Sequence, residues 1–146
     1  MLISDIRQWY KKLFEALSDD ALNHIPEGFN NNILWNAGHV VLVQQRLTYG
    51  LSGLPIGIDE SFNHFFKPGS SPANWQTKPD TKLVHDLLLS LPEKFEQDYQ
   101  AGIFKTFQPY TTSTGFHIAS FEEAVIFNNF HEGIHLGTIL ALRKLI

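Results

Sequence analysis

Near the start of the chain, apolar residues recur at helical spacing: Ile3, Ile6, Trp9 with Tyr10, Leu13 and Leu17. Residues three and four apart share one face of an α-helix, so the pattern predicts an amphipathic helix over about residues 2–18. Asp19-Asp20 and Pro26-Glu27-Gly28 then read as a connection. A second helix is predicted over about residues 31–50, where Ile33, Leu34, Trp35, Ala37, Val40, Val41, Leu42, Val43 and Leu47 nearly encircle the axis. A helix that is apolar all round is heavily buried. Residues 51–79 are broken by Pro55, Gly57, Pro68, Gly69, Pro72 and Pro79, and read as a long irregular loop. The loop also carries Phe62, Phe65, Phe66 and Trp75, so it is expected to pack over the body of the protein rather than swing free.

A third helix starts near Asp80 or Thr81, with a buried stripe of Leu83, Val84, Leu87, Leu88, Leu91, Phe95 and Tyr99. Pro92 predicts a kink or short break, because Ser90-Leu91-Pro92-Glu93 can re-cap a new turn. Residues 103–119 look extended, with a turn over 111–115. The last helix opens at Ser120. Glu123 lies three positions on, as a capping box requires, and Arg143 and Lys144 suit the negative end of the helix dipole. No internal repeat is visible.

Composition narrows the chemistry. A chain of 146 residues reads as one domain, 1–146, large enough for a real core. Its net charge of −4 argues against a nucleic-acid partner. There are no cysteines, hence no disulfides, no thiolate ligands and no Cys nucleophile. Any metal must be held by His, Asp or Glu, and any thiol chemistry needs a thiol from a second substrate. Residues 1–10 lack a basic region followed by an apolar run, and no apolar stretch reaches membrane-spanning length. The expectation is a cytoplasmic protein with no membrane partner.

Against that background His131-Glu132-Gly133-Ile134-His135 stands out. Two histidines four apart face the same way on a helix, which is metal-ligand spacing. The string is also H-E-x-x-H, the zinc-protease motif whose Glu is the general base. Its position argues against a protease: the extended pattern needs a downstream Gly and His, and this chain has Thr138 and Ala141 there. A third ligand must come from earlier, and His39 on the second helix is the best candidate. With His131 at the centre of a face, Ala124, Phe127, Asn128, Ile134, His135, Thr138, Leu142 and Leu145 fall within about 60° of it. Two imidazoles amid apolar residues need several hydrogen bonds; a shared ion would satisfy one nitrogen on each. A pair of hydrogen-bonded core histidines is the other reading. Glu132 lies about 100° round the helix, and a surface or supporting carboxylate is preferred to a catalytic base. Asn36 and Asn128 share the histidine faces and can support the ligands or simply bond nearby backbone. His24 and His85 are expected at the surface; so are His64 and His117, though either can line a pocket.

At these residues the chain resembles the DinB/YfiT-like metalloenzyme superfamily. The match lies in Asn32-Ile33-Leu34-Trp35-Asn36-Ala37-Gly38-His39, in Phe66-Lys67-Pro68-Gly69-Ser70, and in His131-Glu132-Gly133-Ile134-His135-Leu136-Gly137-Thr138-Ile139. The order of elements agrees, and the resemblance spans essentially the whole chain. It implies an all-α, four-helix bundle with the long aromatic loop between helices 2 and 3. It also implies a divalent metal held by three histidines, which map here to His39, His131 and His135. Related proteins are often dimers. Characterised relatives include S-transferases and isomerases that use bacillithiol, mycothiol or glutathione.

The leading expectation is therefore a metal-dependent thiol transferase or hydrolase. A thiol or water in the open position of a three-histidine site would be the nucleophile, its pKa lowered by the ion. The substrate would be a small electrophile, with a low-molecular-weight thiol as second substrate. Arg46, Phe66 and Trp75 are candidate substrate contacts: Arg46 for a carboxylate, the rings for an apolar body. The same residues also suit structural roles. Three imidazoles accept Zn, Ni, Fe or Cu, so ligand type does not name the metal. The alternative is a metal-binding or interaction module without turnover. A homodimer is expected as well, because the second helix carries more apolar surface than one neighbour covers.

Overall fold

The structure is a computed structural model that describes residues 2–146. Helix α1 runs Leu2–Glu15 and buries Ile3, Arg7, Tyr10, Leu13 and Phe14. It stops short of the predicted end because Ser18 starts a new helix, α2, Asp19–Asn23, its side chain accepting from the Ala21 amide. The predicted connection thus holds a helical turn pinned by buried Leu22.

Helix α3, Ile33–Gln45, begins at Asn32, whose side-chain oxygen accepts from the Trp35 amide at 2.7 Å. The chain then continues helically in a wider π turn, Arg46–Gly50, closed by Leu51 N–H donating to the Arg46 carbonyl. All of α3 except Val43 is buried. Its cover comes from its own chain. Besides its long neighbours, α2 and helix α4, Glu60–Phe66, pack on it. The apolar surplus that suggested a dimer through this helix is therefore spent inside the monomer.

Helix α4 lies inside the segment expected to be irregular. No proline falls between Pro55 and Pro68, and Asp59 caps the helix by accepting from the Phe62 amide at 3.1 Å. Phe62 and Phe66, four apart, share one face and enter the core. The segment does pack over the body, as expected. Gly38 makes this possible: a Cβ there would collide with the Phe66 ring.

Helix α5, Thr81–Gln100, runs unbroken through buried Pro92, so of the kink or short break expected there the break is absent. Proline has no N–H, so the Leu88 carbonyl one turn back loses its helical donor. The Arg7 guanidinium reaches that carbonyl from α1, at 3.5 Å. Val84, Leu88, Leu91 and Phe95 are buried, whereas Leu83 and Tyr99 stay exposed. Between α5 and the last helix, strands β1, Tyr110–Thr111, and β2, His117–Ile118, pair antiparallel around a turn with Gly115 at φ +89°. The rest of 103–119 is irregular.

Helix α6, Phe121–Leu142, starts where predicted. Ser120 Oγ accepts from the Glu123 amide, and the Glu123 carboxylate accepts in return from Ala119 N–H. Its buried stripe is Phe121, Ala124, Asn128, Glu132, Ile139 and Leu142. That stripe is turned about 60° toward Glu132 from the face centred on His131. As a result Ile134 and Leu145 are exposed, and the two histidines lie at the flank of the interface. The chain is mostly helical: α1 packs on α5 and α6, and α3 packs on the same two. Among the described residues no helix is long and apolar enough to cross a membrane.

Candidate metal centre

His39 projects from the middle of α3 and is 6% exposed. Its ring stacks on Trp35, 4.6 Å between centroids, and its Nδ1–H donates to the Phe66 carbonyl at 2.7 Å. The C-terminal residue of α4 thereby fixes the ring and leaves Nε2 with a free lone pair. From α6, His135 Nδ1–H donates to Asn36 Oδ1 at 2.8 Å. Asn36 is itself oriented, since its Nδ2 donates to the Asn32 carbonyl at 2.7 Å. Two of the three imidazoles thus have their outer nitrogens held by acceptors on α3 and α4, the arrangement that aims a histidine at an ion.

His131 completes the group. Its Nε2 is 3.2 Å from His135 Nε2, and one ring nitrogen from each of His39, His131 and His135 lies within 4.8 Å of the others. Two nitrogens about 2.0–2.1 Å from one tetrahedral ion would be ~3.3 Å apart. The α6 pair already has that separation, and a His39 ring nitrogen lies within 4.8 Å of both. His131 Nδ1 is buried with no hydrogen-bond partner among the described residues. Three neutral imidazoles converging on one focus, two with their outer nitrogens bonded, fit a divalent ion.

The electrostatics agree. Burial lowers the His131 pKa to about 4, with His39 and Arg7 adding to the effect. Burial, then His131 and His39, takes His135 to about 3. His39 is lowered mainly by burial, opposed by its bond to Phe66, with Arg46 lowering it further. All three are neutral at pH 7 and can offer lone pairs without first losing a proton.

His39 and His131 also line a cavity of about 500 Å³. Val43, Leu47, Leu51, Pro68 and Phe127 supply apolar wall, and Tyr110 with Thr112, Ser113 and Thr114 of the hairpin close one side. Arg46 is on the wall as well. Phe66 and Trp75 are not. Phe66 is fully buried against Phe62 and Trp75, and its contribution to the site is its carbonyl. Trp75 packs edge-on to Phe65 and Phe66 and donates to the Phe65 carbonyl at 3.3 Å. The wall positions proposed for these two rings belong instead to Phe127 and Tyr110. Phe127 had a signal in the sequence, one turn before His131; Tyr110 had none, because only the chain path brings it near.

Glu132 is neither at the surface nor at the ligand cluster. It is 0% exposed and takes two hydrogen bonds from Arg7, Nε to Oε2 at 2.7 Å and Nη2 to Oε1 at 2.9 Å. Asn128 Nδ2 donates to the same carboxylate, and Tyr10 O–H donates to the Glu132 carbonyl. Arg7, 1% exposed, also reaches the Val40 carbonyl at 3.3 Å. Arg7 falls between Ile3 and Tyr10 on the buried stripe of α1, and that spacing is the one signal in the sequence that marks it as buried. His24, His64 and His117 are exposed, while His85 is half-buried against Phe14 rather than at the surface.

A sequence profile of the DinB superfamily matches residues 3–139. No curated protein matches the chain.

Proposed function

This chain belongs to the DinB superfamily, and from that premise we propose a divalent-metal-dependent enzyme whose ion is held by His39, His131 and His135. The observation that carries the reading is their placement: three neutral imidazoles with ring nitrogens within 4.8 Å of one another, His39 and His135 aimed by Phe66 and Asn36, and His39 and His131 on the wall of a cavity of about 500 Å³. That volume lies within the range of small-molecule sites. Four long helices, each packed on two others, support a four-helix bundle in a single domain spanning 1–146.

When bound, the ion supplies Lewis acidity, which makes a thiol or water a stronger nucleophile near neutral pH. The chain's own residues do the rest. Phe66 and Asn36 hold the outer Nδ1–H groups of His39 and His135, so the inner nitrogens stay available. Val43, Leu47 and Phe127 give the reacting end an apolar wall. The absence of cysteine means that an S-transfer would draw its sulfur from a second, low-molecular-weight thiol, with a small electrophile as acceptor. Ile126, Phe130 and Ile134, 69%, 53% and 50% exposed along α6, support a homodimer contact on that face rather than through α3. Ile134→Asp should then turn a dimer mass in light scattering into a monomer mass; a monomeric parent protein would remove this contact.

Elemental analysis of the purified protein should find about one divalent ion per chain, lost in His39→Ala with the helical circular dichroism retained. Thermal-shift screening of low-molecular-weight thiols should then show stabilisation only in the metal-loaded protein. Thiol-independent behaviour with bound metal would favour the binding module without turnover. A protein that holds no divalent ion would overturn both.

A further inference from the structure

The cavity beside the histidines has one charged group on its wall, Arg46. The rest of that wall is aliphatic, aromatic or hydroxylated, apart from the neutral imidazoles. Arg46 opens the π turn that follows α3, and this turn brings Arg46, Leu47 and Gly50, with Leu51 next to it, onto the same wall. Such turns recur at functional sites because they redirect side chains out of α-helical register. Gly50 adds open room: a Cβ there would meet nothing nearer than 3.8 Å.

The guanidinium is poorly matched for a structural role. It makes one hydrogen bond, to the neutral Asn63 Oδ1 at 2.7 Å. Among the described residues no carboxylate pairs with it, although the chain has 15 acidic residues against 11 basic. A guanidinium carries five donors in a planar fork suited to a carboxylate. Arg46 is an exposed residue on the cavity wall, and its fork makes a single hydrogen bond, from Nη2, so the remaining donors are open to a ligand.

We infer that the cavity selects ligands built as an apolar body ending in a single carboxylate, with Arg46 as the counter-charge. The apolar wall takes the body, and the hydroxyls of Thr112, Ser113 and Thr114 supply neutral hydrogen bonds from the hairpin. Arg46 lies seven residues beyond His39, about 10 Å along the helix axis. A ligand of a few bonds beyond one ring therefore spans from the histidines to the guanidinium. A single cation matches a monoanion; a phosphate ester would bring a second charge with no partner. This deepens the functional reading by naming the substrate class, and it rests on that reading only in putting the reacting end at the histidines.

The test uses metal-free full-length protein and four probes: 4-phenylbutyrate, its amide, 4-phenylbutylamine and phenyl phosphate. Affinities come from calorimetry, and the imidazole resonances of His39 and His131 report whether a probe enters the cavity. The acid should bind several-fold tighter than the amide, since a charge-assisted hydrogen bond is stronger than a neutral one but screened at an exposed guanidinium. It should shift both imidazoles, and Arg46→Gln should erase the preference by lowering acid affinity far more than amide affinity. Equal affinity for acid and amide, a preference that survives Arg46→Gln, tighter binding of phenyl phosphate or the amine, or no saturable binding would each overturn the assignment. Metal content is measured separately, so loss of the metal reading leaves the acid-over-amide comparison standing.

Discussion

Replacing Glu132 by Leu would leave Arg7 charged, 1% exposed and without its carboxylate. The two short bonds at 2.7 and 2.9 Å would be gone, and only the carbonyls of Val40 and Leu88, at 3.3 and 3.5 Å, would remain as acceptors. Breaking a buried ion pair from one side costs about 3–5 kcal/mol, because the survivor keeps its desolvation penalty. In a chain of this size that is a drop of roughly 6–20 °C in Tm. Urea unfolding followed by circular dichroism measures it directly. The double variant Arg7→Met/Glu132→Leu removes both charges. It should recover most of the loss and lie within about 2 kcal/mol of the parent protein. Glu132→Gln separates this structural role from the general-base role that H-E-x-x-H suggests. It should lose stability and keep bound metal. A Glu132→Leu protein weakened by less than about 1 kcal/mol, or a double variant as weak as the two singles combined, would refute the reasoning from a buried pair.

Three further outcomes follow from the same geometry. Asn36→Ala removes the acceptor of His135 Nδ1–H and should lower metal affinity by about 10–100-fold in a competitive chelator titration, with far less effect on a ligand-free melt. Gly38→Ala drives a methyl into the Phe66 ring; it should cost about 1–3 kcal/mol in urea unfolding and weaken metal binding too, because the Phe66 carbonyl holds His39. Metal-free protein should be most stable above neutral pH: the unfolded chain binds protons near pH 6.5, the folded His131 and His135 only near about 4 and about 3. Stability is therefore lost as pH falls from about 6.5 through these values, and a flat Tm between pH 7.5 and 4 would contradict the buried, neutral triad.

Much of the helical framework is legible in the sequence because it is written in local spacing. The period of Ile3, Ile6, Tyr10 and Leu13 announces α1, and Ser120 with Glu123 announces the start of α6. The interval between His131 and His135 places both rings on one side of a helix, whatever that helix packs against. Where the reading failed, the deciding interaction crosses the chain. A proline that should break α5 is accommodated with an arginine 85 positions earlier reaching the carbonyl that it frees. The proline-free stretch that forms α4 is seated in the core because Gly38, far back in the chain, leaves room for Phe66.

What the sequence by itself determined is the set of chemical possibilities: helices of given length, no thiol of its own, and three histidines on two helices at ligand spacing. Tertiary structure decided how these are turned. The rotation of α6 follows Glu132, whose carboxylate is held inside by Arg7, so the two α6 histidines flank the interface and His131 lines the cavity. Rotation about a helix axis changes no local spacing. It is set by which side chain finds a partner across the core, and that partner lies 125 residues away in sequence.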